Sequence, residues 1–282
     1  MRTRLILFDP SSRPSLFDSG AAIDANVDLI ESLGLVAVEE VPRLVQDALF
    51  SRKPGFHTAF WIGGSDHPTT DALAQEAFSC QVPPFHANVA LDPSGAHTTA
   101  AAVVQLLHDS VQPSEGPVLV VGGTGMVGQA IVTMASWLGY SVWMGAPREE
   151  RARQIARELQ RRYEIPEPAF WPRTADVPFA AVISAGPPGL EVFRPDDLKA
   201  PPRLLIDINA VPPAGIRGVK MNDAGRQTDW GLAWGAYAVG QRKMALHHRL
   251  IQQLFQPPHR LYDRRAILAF ALESSPAGHD AR

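Results

Sequence analysis

The stretch VLVVGGTGMVG at residues 118–128 decides the fold. Its four leading apolar residues are typical of a strand buried on both faces of a parallel sheet. The pattern G-x-G-x-x-G then follows at Gly123, Gly125 and Gly128. In a dinucleotide-binding site the first glycine allows a tight turn, the second lets the backbone approach a pyrophosphate, and the third lets the helix pack on the strand. The alternative is a glycine-rich turn that binds nothing.

The segment after the next strand indicates which dinucleotide binds. NAD sites usually place Asp or Glu there, about 20 residues after the first glycine. This sequence has Gly145, Ala146, Pro147 and Arg148 instead, with no carboxylate before Glu149. A guanidinium suits a 2′-phosphate, so we expect NADP, with NAD still possible. Alternatively, Arg148 is a solvated residue at the start of a helix that Pro147 opens.

Apolar runs alternate with amphipathic segments along most of the chain, which predicts an α/β protein. We expect strands near 5–8, 35–38, 58–62, 88–91, 118–121, 141–144, 181–184 and 204–208. We expect helices near 23–33, 43–50, 69–79, 96–111, 126–138, 148–162 and 236–255. Residues 1–111, rejoined by the tail 257–282, are predicted to form an open parallel α/β substrate domain. Residues 112–256 are predicted to form a Rossmann-like NAD(P)-binding domain, with a ligand cleft between the two.

The composition argues against several other classes of protein. The chain has 25 prolines among 282 residues, which argues against a long helical bundle. Its net charge is −3 without a basic run, which argues against nucleic acid or an anionic membrane as partner. The apolar run at 5–8 is too short for a signal peptide or a membrane span. With Cys80 as the single cysteine, we expect a soluble cytoplasmic protein.

The sequence also lacks the spacing of a metal site. His247 and His248 are adjacent on a predicted helix, so their side chains face different directions and are poor joint ligands. The remaining histidines show no ligand spacing either. We therefore predict no metal.

Four further blocks of sequence resemble one known family. They are PSLFD at 14–18, AFWIGG at 59–64, LDPSGAHTTAAA at 91–102 and DINAVPPAGI at 207–216. In this order they resemble the NAD(P)-dependent methylene-tetrahydromethanopterin/methylene-tetrahydrofolate dehydrogenases of one-carbon metabolism in methylotrophic bacteria. The resemblance spans about residues 5–256. The chain departs from the family at Met126, where proline is common, at Pro147, where arginine is usual, and at 51–53, where SRK replaces T-R-G.

The resemblance implies hydride transfer from a methylene-tetrahydropterin to NAD(P)+, which gives the methenyl form. It also implies self-association, so we expect a homo-oligomer that acts on a small molecule. Two alternatives stay open. One is a reductase of another pterin or a small carbonyl compound, and the other is a non-catalytic paralogue that binds a pterin or a nucleotide.

The resemblance further implies which residues bind the pterin, with Asp18 and Lys243 as the catalytic pair. The candidates are Phe17, Asp18, Asp66, Thr98 and Lys243. Phe17 could instead be core, Asp18 and Asp66 could cap helices, Thr98 could be a plain first-turn residue, and Lys243 could be a solvated charge. The cofactor candidates come from the glycine loop and from strand ends, where nucleotides bind in such sheets. They are Gly123, Thr124, Gly125, Met126, Val127, Gly128, Arg148, Ser184, Ala185, Gly186 and Asn209.

Overall fold

A computed structural model describes residues 2–65, 67–173 and 175–273 of the chain. Strands and helices alternate, which confirms the predicted α/β class. In chain order they are β1 (Arg4–Phe8), α1 (Leu16–Asp24), β2 (Leu29–Leu33), α2 (Val41–Phe50), β3 (Thr58–Ile62), α3 (His67–Ser79), β4 (Val89–Leu91), α4 (Ala96–Ser110), β5 (Val118–Val121), α5 (Met126–Trp137), β6 (Val142–Gly145), α6 (Glu149–Tyr163), β7 (Ala169–Phe170), β8 (Ala181–Ser184), β9 (Leu204–Asp207), β10 (Ala224–Thr228), β11 (Gly231–Trp234), α7 (Ala236–Gln253), β12 (Leu261–Tyr262) and α8 (Arg264–Leu272).

The chain divides into two compact units. The first comprises the residues through Thr98 together with Met244–Phe270, and the second comprises Thr99–Lys243 with the described residues after Phe270. The divisions fall inside α4 and α7, whereas the sequence places the domain boundaries at the ends of these two helices, after 111 and 256. No helix within the described ranges is long and apolar enough to cross a membrane.

The first unit contains a five-stranded parallel sheet in the order β12-β4-β3-β1-β2. Strand β3, with the sequence TAFWI, is buried at every position, as its continuous apolar run predicts. From β1 the chain goes to β2 on one side and then crosses to β3 on the other side. Ligands of open α/β sheets bind where the order reverses in this way, so the carboxyl ends of β1 and β3 mark a candidate site.

Two predicted elements of this unit are wrong. The predicted helix at 23–33 is instead the end of α1 and the strand β2, because Asn26 adopts a left-handed φ of 62° and stops the helix. Residues 29–33 then pair in register with β1. The predicted strand at 35–38 is absent, since Leu35 is also left-handed, with a φ of 57°, and is 69% exposed.

The second unit contains a seven-stranded sheet in the order β10-β11-β9-β8-β5-β6-β7. All its pairs are parallel except β10 with β11. The six parallel strands follow the Rossmann order 3-2-1-4-5-6, with β5 first in sequence and β8 on its other side. The predicted Rossmann-like fold is therefore confirmed. The sequence missed β10 because AGRQT is polar and lies at the sheet edge.

The end of the chain adds β12 and α8, which the sequence did not predict as elements. β12 pairs with β4 and so extends the first sheet. His259, just before β12, stacks on Phe78 with ring centroids 4.4 Å apart and lies 4.6 Å from the ring of His86. Burial, and then the neighbouring His86, lower the pKa of His259 below its ordinary 6.5.

This lowered pKa makes stability depend on pH. Below about pH 6.5 the unfolded chain takes up a proton that folded His259 resists, so stability is lost as the pH falls through this range. We expect His259→Phe, which keeps the ring stack, to lose less melting temperature than the wild type between about pH 7.5 and about pH 5.5. An equal loss in both proteins would show that this histidine does not control the acid-side stability.

Candidate active site

The glycine loop joins β5 to α5 at the centre of the second sheet. Gly122 has a left-handed φ of 79°, and a Cβ there would lie 2.5 Å from the backbone carbonyl of Ala185. The sequence assigned the tight turn to Gly123, but the structure places the left-handed residue at Gly122. Gly122 was not predicted as the turn residue because the G-x-G-x-x-G motif begins at the next glycine, Gly123.

The other two motif glycines serve different purposes. A Cβ at Gly128 would lie 2.2 Å from the carbonyl oxygen of Gly122, so this glycine is needed for the helix to pack on the loop. A Cβ at Gly125 would meet its nearest neighbour, the same oxygen, at 3.4 Å, which is an ordinary contact. The fold therefore does not itself require glycine at 125, the exposed N-cap of α5. A side chain there would instead cover the first-turn N–H groups of Met126 and Val127, which lack helical acceptors and suit a pyrophosphate.

A cavity of about 330 Å³ adjoins this loop. Among its lining residues, the charged side chain is Arg173, and there is no carboxylate. The lining residues are Val121, Gly122, Gly145, Ala146, Pro147, Trp171, Arg173, Gly186, Pro187 and Val192. Among the described residues, the lining at the end of β6 therefore has no carboxylate that could accept from a ribose 2′-hydroxyl.

Arg173 lines this pocket, and Arg148 directly follows the lining residue Pro147 in the sequence. Arg148 is exposed and directly precedes α6, and its side chain makes no capping hydrogen bond. Arg173 donates from Nη2 to the carbonyl oxygen of Val192 at 2.8 Å, and its guanidinium lies 5.9 Å from the ring centroid of Trp171. Its backbone is left-handed, with a φ of 56°. No pattern in the sequence pointed to Arg173, because β7, just before it, has only two residues.

The loops after β8 and β9 hold each other in place. The side chain of Asn209 accepts from the N–H of Val211 at 3.0 Å and donates to the carbonyl oxygen of Pro213 at 3.0 Å. Asp207, which the sequence did not single out as a site residue, accepts from the N–H groups of Asn209 and Ile216 at 3.0 and 2.9 Å. Burial raises the pKa of the Asp207 carboxyl, although these hydrogen bonds oppose the shift. Asn209 thus shapes its own loop.

Ser184, Ala185 and Gly186 lie directly behind the glycine loop. Ser184 ends β8 and is fully buried, and Ala185 donates from its N–H to the carbonyl oxygen of Val121 at 2.8 Å. The backbone of Ala185 is also the group that a side chain at Gly122 would strike. These predicted cofactor residues therefore come together with the glycine loop at the reversal point of the second sheet.

In the first unit, buried carboxylates gather at the carboxyl edge of the sheet. Asp9 follows β1, Asp92 follows β4 and Asp18 lies on α1, and each is at most 4% exposed. A Cβ at Gly63, the residue after β3, would lie 3.6 Å from Oδ2 of Asp18 and 3.7 Å from Oδ2 of Asp9. The edge where the strand order reverses is thus strongly acidic.

His247 on α7 lies among these carboxylates and is fully buried. Its Nε2 is 3.7 Å from Oδ1 of Asp18, and its Nδ1 is 3.9 Å from Oδ2 of Asp92. The ring stacks on Trp61 with centroids 4.5 Å apart at 28°, and Phe17 meets it edge-on at 5.8 Å. The sequence patterns raised this histidine only as a candidate metal ligand. It lies four residues after Lys243, and residues with this spacing share one face of a helix.

Comparison with known proteins decides the family. Residues 16–94 match the family model described as methylene-tetrahydromethanopterin dehydrogenase, N-terminal. The NAD(P)-dependent methylenetetrahydromethanopterin dehydrogenase of Methylorubrum extorquens is 31% identical over 274 residues, which cover 90% of this chain and 92% of that protein. The chain belongs to this dehydrogenase family. The predicted family and the predicted oxidoreductase class are thus confirmed.

Two further proteins are similar along most of their length. The bifunctional protein MdtA of Methylorubrum extorquens is 29% identical, over 95% of this chain and 98% of that protein. Among solved structures, quinate dehydrogenase from Corynebacterium glutamicum in complex with NAD is 14% identical, with a TM-score of 0.46, over 96% of this chain and 99% of that chain.

The residues predicted to bind the pterin differ in their exposure and in their hydrogen bonds. Phe17 is 52% exposed, so the alternative that it is core is wrong. Ser15, whose hydroxyl oxygen accepts from the N–H of Asp18 at 3.1 Å, caps α1, so the alternative of Asp18 as a cap is also wrong. Lys243 is only 7% exposed, which excludes a solvated charge.

The remaining two predicted residues have other outcomes. Thr98 is fully buried, and its hydroxyl donates to Oδ2 of Asp92 at 2.6 Å. This bond makes Thr98 a support for Asp92. Asp66 lies outside the described residues. Across the described ranges, no group of three or more His, Cys, Asp or Glu side chains is arranged to hold a metal ion.

Proposed function

We propose that the protein transfers a hydride from methylene-tetrahydromethanopterin to NADP+ and releases the methenyl form. The observation that carries the proposal is Gly125, where the fold has room for a side chain and the sequence has none. That vacant helix start suits a dinucleotide pyrophosphate. The family, whose characterised member acts on methylenetetrahydromethanopterin, supports the choice of substrate.

The hydride transfer requires few chemical groups from the protein. The methylene carbon lies between two nitrogens, and loss of hydride leaves an amidinium-type cation that both lone pairs stabilise. No proton leaves the carbon, so no general base is required. When bound, the nicotinamide supplies the hydride acceptor at its C4. The residues of this chain therefore need to hold the pterin in near-attack contact, exclude water and oppose the developing positive charge.

The residues predicted to bind the pterin supply groups of that kind. The half-exposed ring of Phe17 offers a surface on which a pterin can stack. The Asp18 carboxylate, next to it on α1, accepts hydrogen bonds from the amino and ring N–H groups of the pterin or opposes the methenyl cation. Lys243 contributes an ammonium on α7, Thr98 acts through Asp92, and Asp66 remains a candidate for the same substrate.

The substrate and cofactor can be assigned by one comparison. The purified protein is mixed with methylene-tetrahydromethanopterin or methylene-tetrahydrofolate and with NADP+ or NAD+, and formation of reduced nicotinamide is followed by its absorbance. The largest kcat/KM is expected for methylene-tetrahydromethanopterin with NADP+. No reduced nicotinamide with either pterin would contradict the proposal and favour a non-catalytic role.

The preference for NADP+ is assigned to Arg148 together with Arg173, whose guanidinium groups suit the 2′-phosphate. Replacing either arginine with alanine is expected to raise KM for NADP+ by about tenfold, the size of one lost charge-assisted contact, and to leave KM for NAD+ nearly unchanged. Arg151→Ala, at an exposed position on α6, is the matched control. Equal effects on NADP+ and NAD+ would contradict this assignment.

Self-association is also proposed, through the outer edge of the first sheet. The edge strand β2 exposes Leu29 at 48% and Leu33 at 38%, and Ile23 on α1 is 65% exposed. An open, apolar strand edge favours pairing with a second copy. Leu29→Lys combined with Leu33→Lys is expected to halve the mass measured by light scattering. An unchanged mass would place the interface elsewhere, and a monomeric wild type would refute self-association.

The cytoplasmic location is likewise part of the proposal. The thiol of Cys80 is free, which suits a reducing compartment.

A further inference from the structure

The imidazole of His247 has a carboxylate at each of its two nitrogens. Nε2 faces Asp18 at 3.7 Å and Nδ1 faces Asp92 at 3.9 Å, with the ring fully buried. These distances are longer than hydrogen bonds but within the range of ion pairs. The stack on Trp61 holds the plane of the ring between the two acidic groups.

A carboxylate near each nitrogen is best matched by one form of the ring. Only the imidazolium carries an N–H at both nitrogens, whereas either neutral tautomer would direct a lone pair at a carboxylate. A cation between two buried carboxylates also offsets their mutual repulsion and the cost of their burial. Within the described residues, the charged groups near these carboxylates include Asp9, which lies beside Gly63 with Asp18, and Arg264, which donates to His97. Lys243 lies four residues before His247 on α7.

His97 shows the opposite case in the same unit. Its Nδ1 lies 2.8 Å from the carbonyl oxygen of Leu91, which can only accept. Its Nε2 lies 3.2 Å from Nε of Arg264, which can only donate. One acceptor and one donor suit the neutral tautomer with the proton on Nδ1. The two buried histidines are therefore distinguished by their partners and not by their burial.

The carboxylates of Asp92 and Asp18, which flank the His247 ring, are held in place by different contacts. Oδ1 of Asp92 accepts from the N–H groups of His97 and Thr98 at 2.8 and 3.1 Å, and Oδ2 accepts from the Thr98 hydroxyl. Asp92 is thus fixed to the start of α4. Asp18 lies on a short helix beside the exposed Phe17. An imidazolium anchored on Asp92 can therefore set the position of the Asp18 carboxylate.

We propose that His247 is a positioning residue, which as an imidazolium anchored on Asp92 orients the Asp18 carboxylate and keeps it ionised for the pterin. The part concerning the pterin rests on the proposed function of Asp18. In this role His247 itself transfers no proton.

The charge state is tested on the wild-type protein without substrate, by nitrogen NMR of the histidine rings at about pH 7. His247, assigned by its loss in His247→Gln, is expected to show protons on both nitrogens, while His97 shows one. In Asp18→Asn the doubly protonated form of His247 should decline. A neutral His247 in the wild type would overturn the proposal.

The link to Asp18 is tested by a double-mutant cycle in kcat. His247→Gln is expected to lower kcat by about tenfold or more, to move the acid limb of the profile of kcat/KM for the pterin to higher pH, and to leave KM for NADP+ unchanged. The double variant with Asp18→Asn should be no slower than Asp18→Asn alone, within about threefold. Multiplying losses would show that His247 acts independently of Asp18.

A matched control and the wild type separate the possible failures. His248→Gln, at the adjacent position on α7, is expected to retain kcat and its pH profile. A wild type that is inactive with every pterin but contains a doubly protonated His247 would refute the proposed function and leave the imidazolium in place. An active wild type with a neutral His247 would support the function and refute this inference.

Discussion

Gly125→Val is expected to weaken NADP+ binding by about 100-fold or more, roughly 2.8 kcal/mol, while the protein stays folded. A Cβ at this exposed position meets the nearest protein atom at 3.4 Å, an ordinary contact, so the fold does not exclude a side chain there. The added methyl groups would instead cover the start of α5, where the pyrophosphate has to approach the first-turn N–H groups. The dissociation constant can be measured by titration calorimetry, with the melting temperature as the test of folding.

Gly128 provides the matched control in the same motif. A Cβ there would lie 2.2 Å from the carbonyl oxygen of Gly122, and no flexible side chain can move out of the way. Gly128→Ala is therefore expected to lower the melting temperature strongly, whether or not NADP+ is present. A Gly125→Val protein that binds NADP+ as tightly as the wild type would contradict the assignment of the loop as the cofactor site.

Asp18→Asn is expected to lower kcat by about 100-fold and to leave the dissociation constant of NADP+ unchanged. The amide keeps the shape of the carboxylate but removes the charge that opposes the methenyl cation, and one such electrostatic group typically contributes about 3 kcal/mol. Pre-steady-state formation of reduced nicotinamide reports this step directly.

Asp24→Asn is the control for Asp18→Asn, because Asp24 ends the same helix and is exposed. It is expected to retain wild-type kcat. If Asp18→Asn is as active as Asp24→Asn, the carboxylate at 18 has no part in the hydride transfer. If Asp18→Asn also loses NADP+ binding, the substitution has disturbed more than the pterin side.

The elements that the sequence predicted correctly are determined by residues close together in the chain. The strand at 118–121, the glycine loop and α5 are encoded within one stretch, so the sequence alone defined them. The region from 23 to 38 failed because its outcome depends on two left-handed residues, Asn26 and Leu35. Asparagine tolerates this conformation but does not require it, and leucine rarely adopts it, so residue type did not predict the two turns.

The site was predictable to a similar degree. Gly125 and Gly128 follow from the motif, and Asp18 and Lys243 follow from the family resemblance. Arg173 and His247 depend on contacts between distant segments, with Val192 and with Asp18 and Asp92 respectively. Only the topology of each sheet brings these groups together, and no spacing in the sequence records it.

Transfer of deuterium tests the central claim most directly. Methylene-tetrahydromethanopterin prepared from dideuterated formaldehyde carries deuterium at both positions of its methylene group. Incubation with the protein and NADP+ is expected to give reduced nicotinamide that contains one deuterium at C4, detected by mass spectrometry and proton NMR, together with a monodeuterated methenyl product. Reduced nicotinamide without deuterium, or none at all, would contradict direct hydride transfer from the pterin.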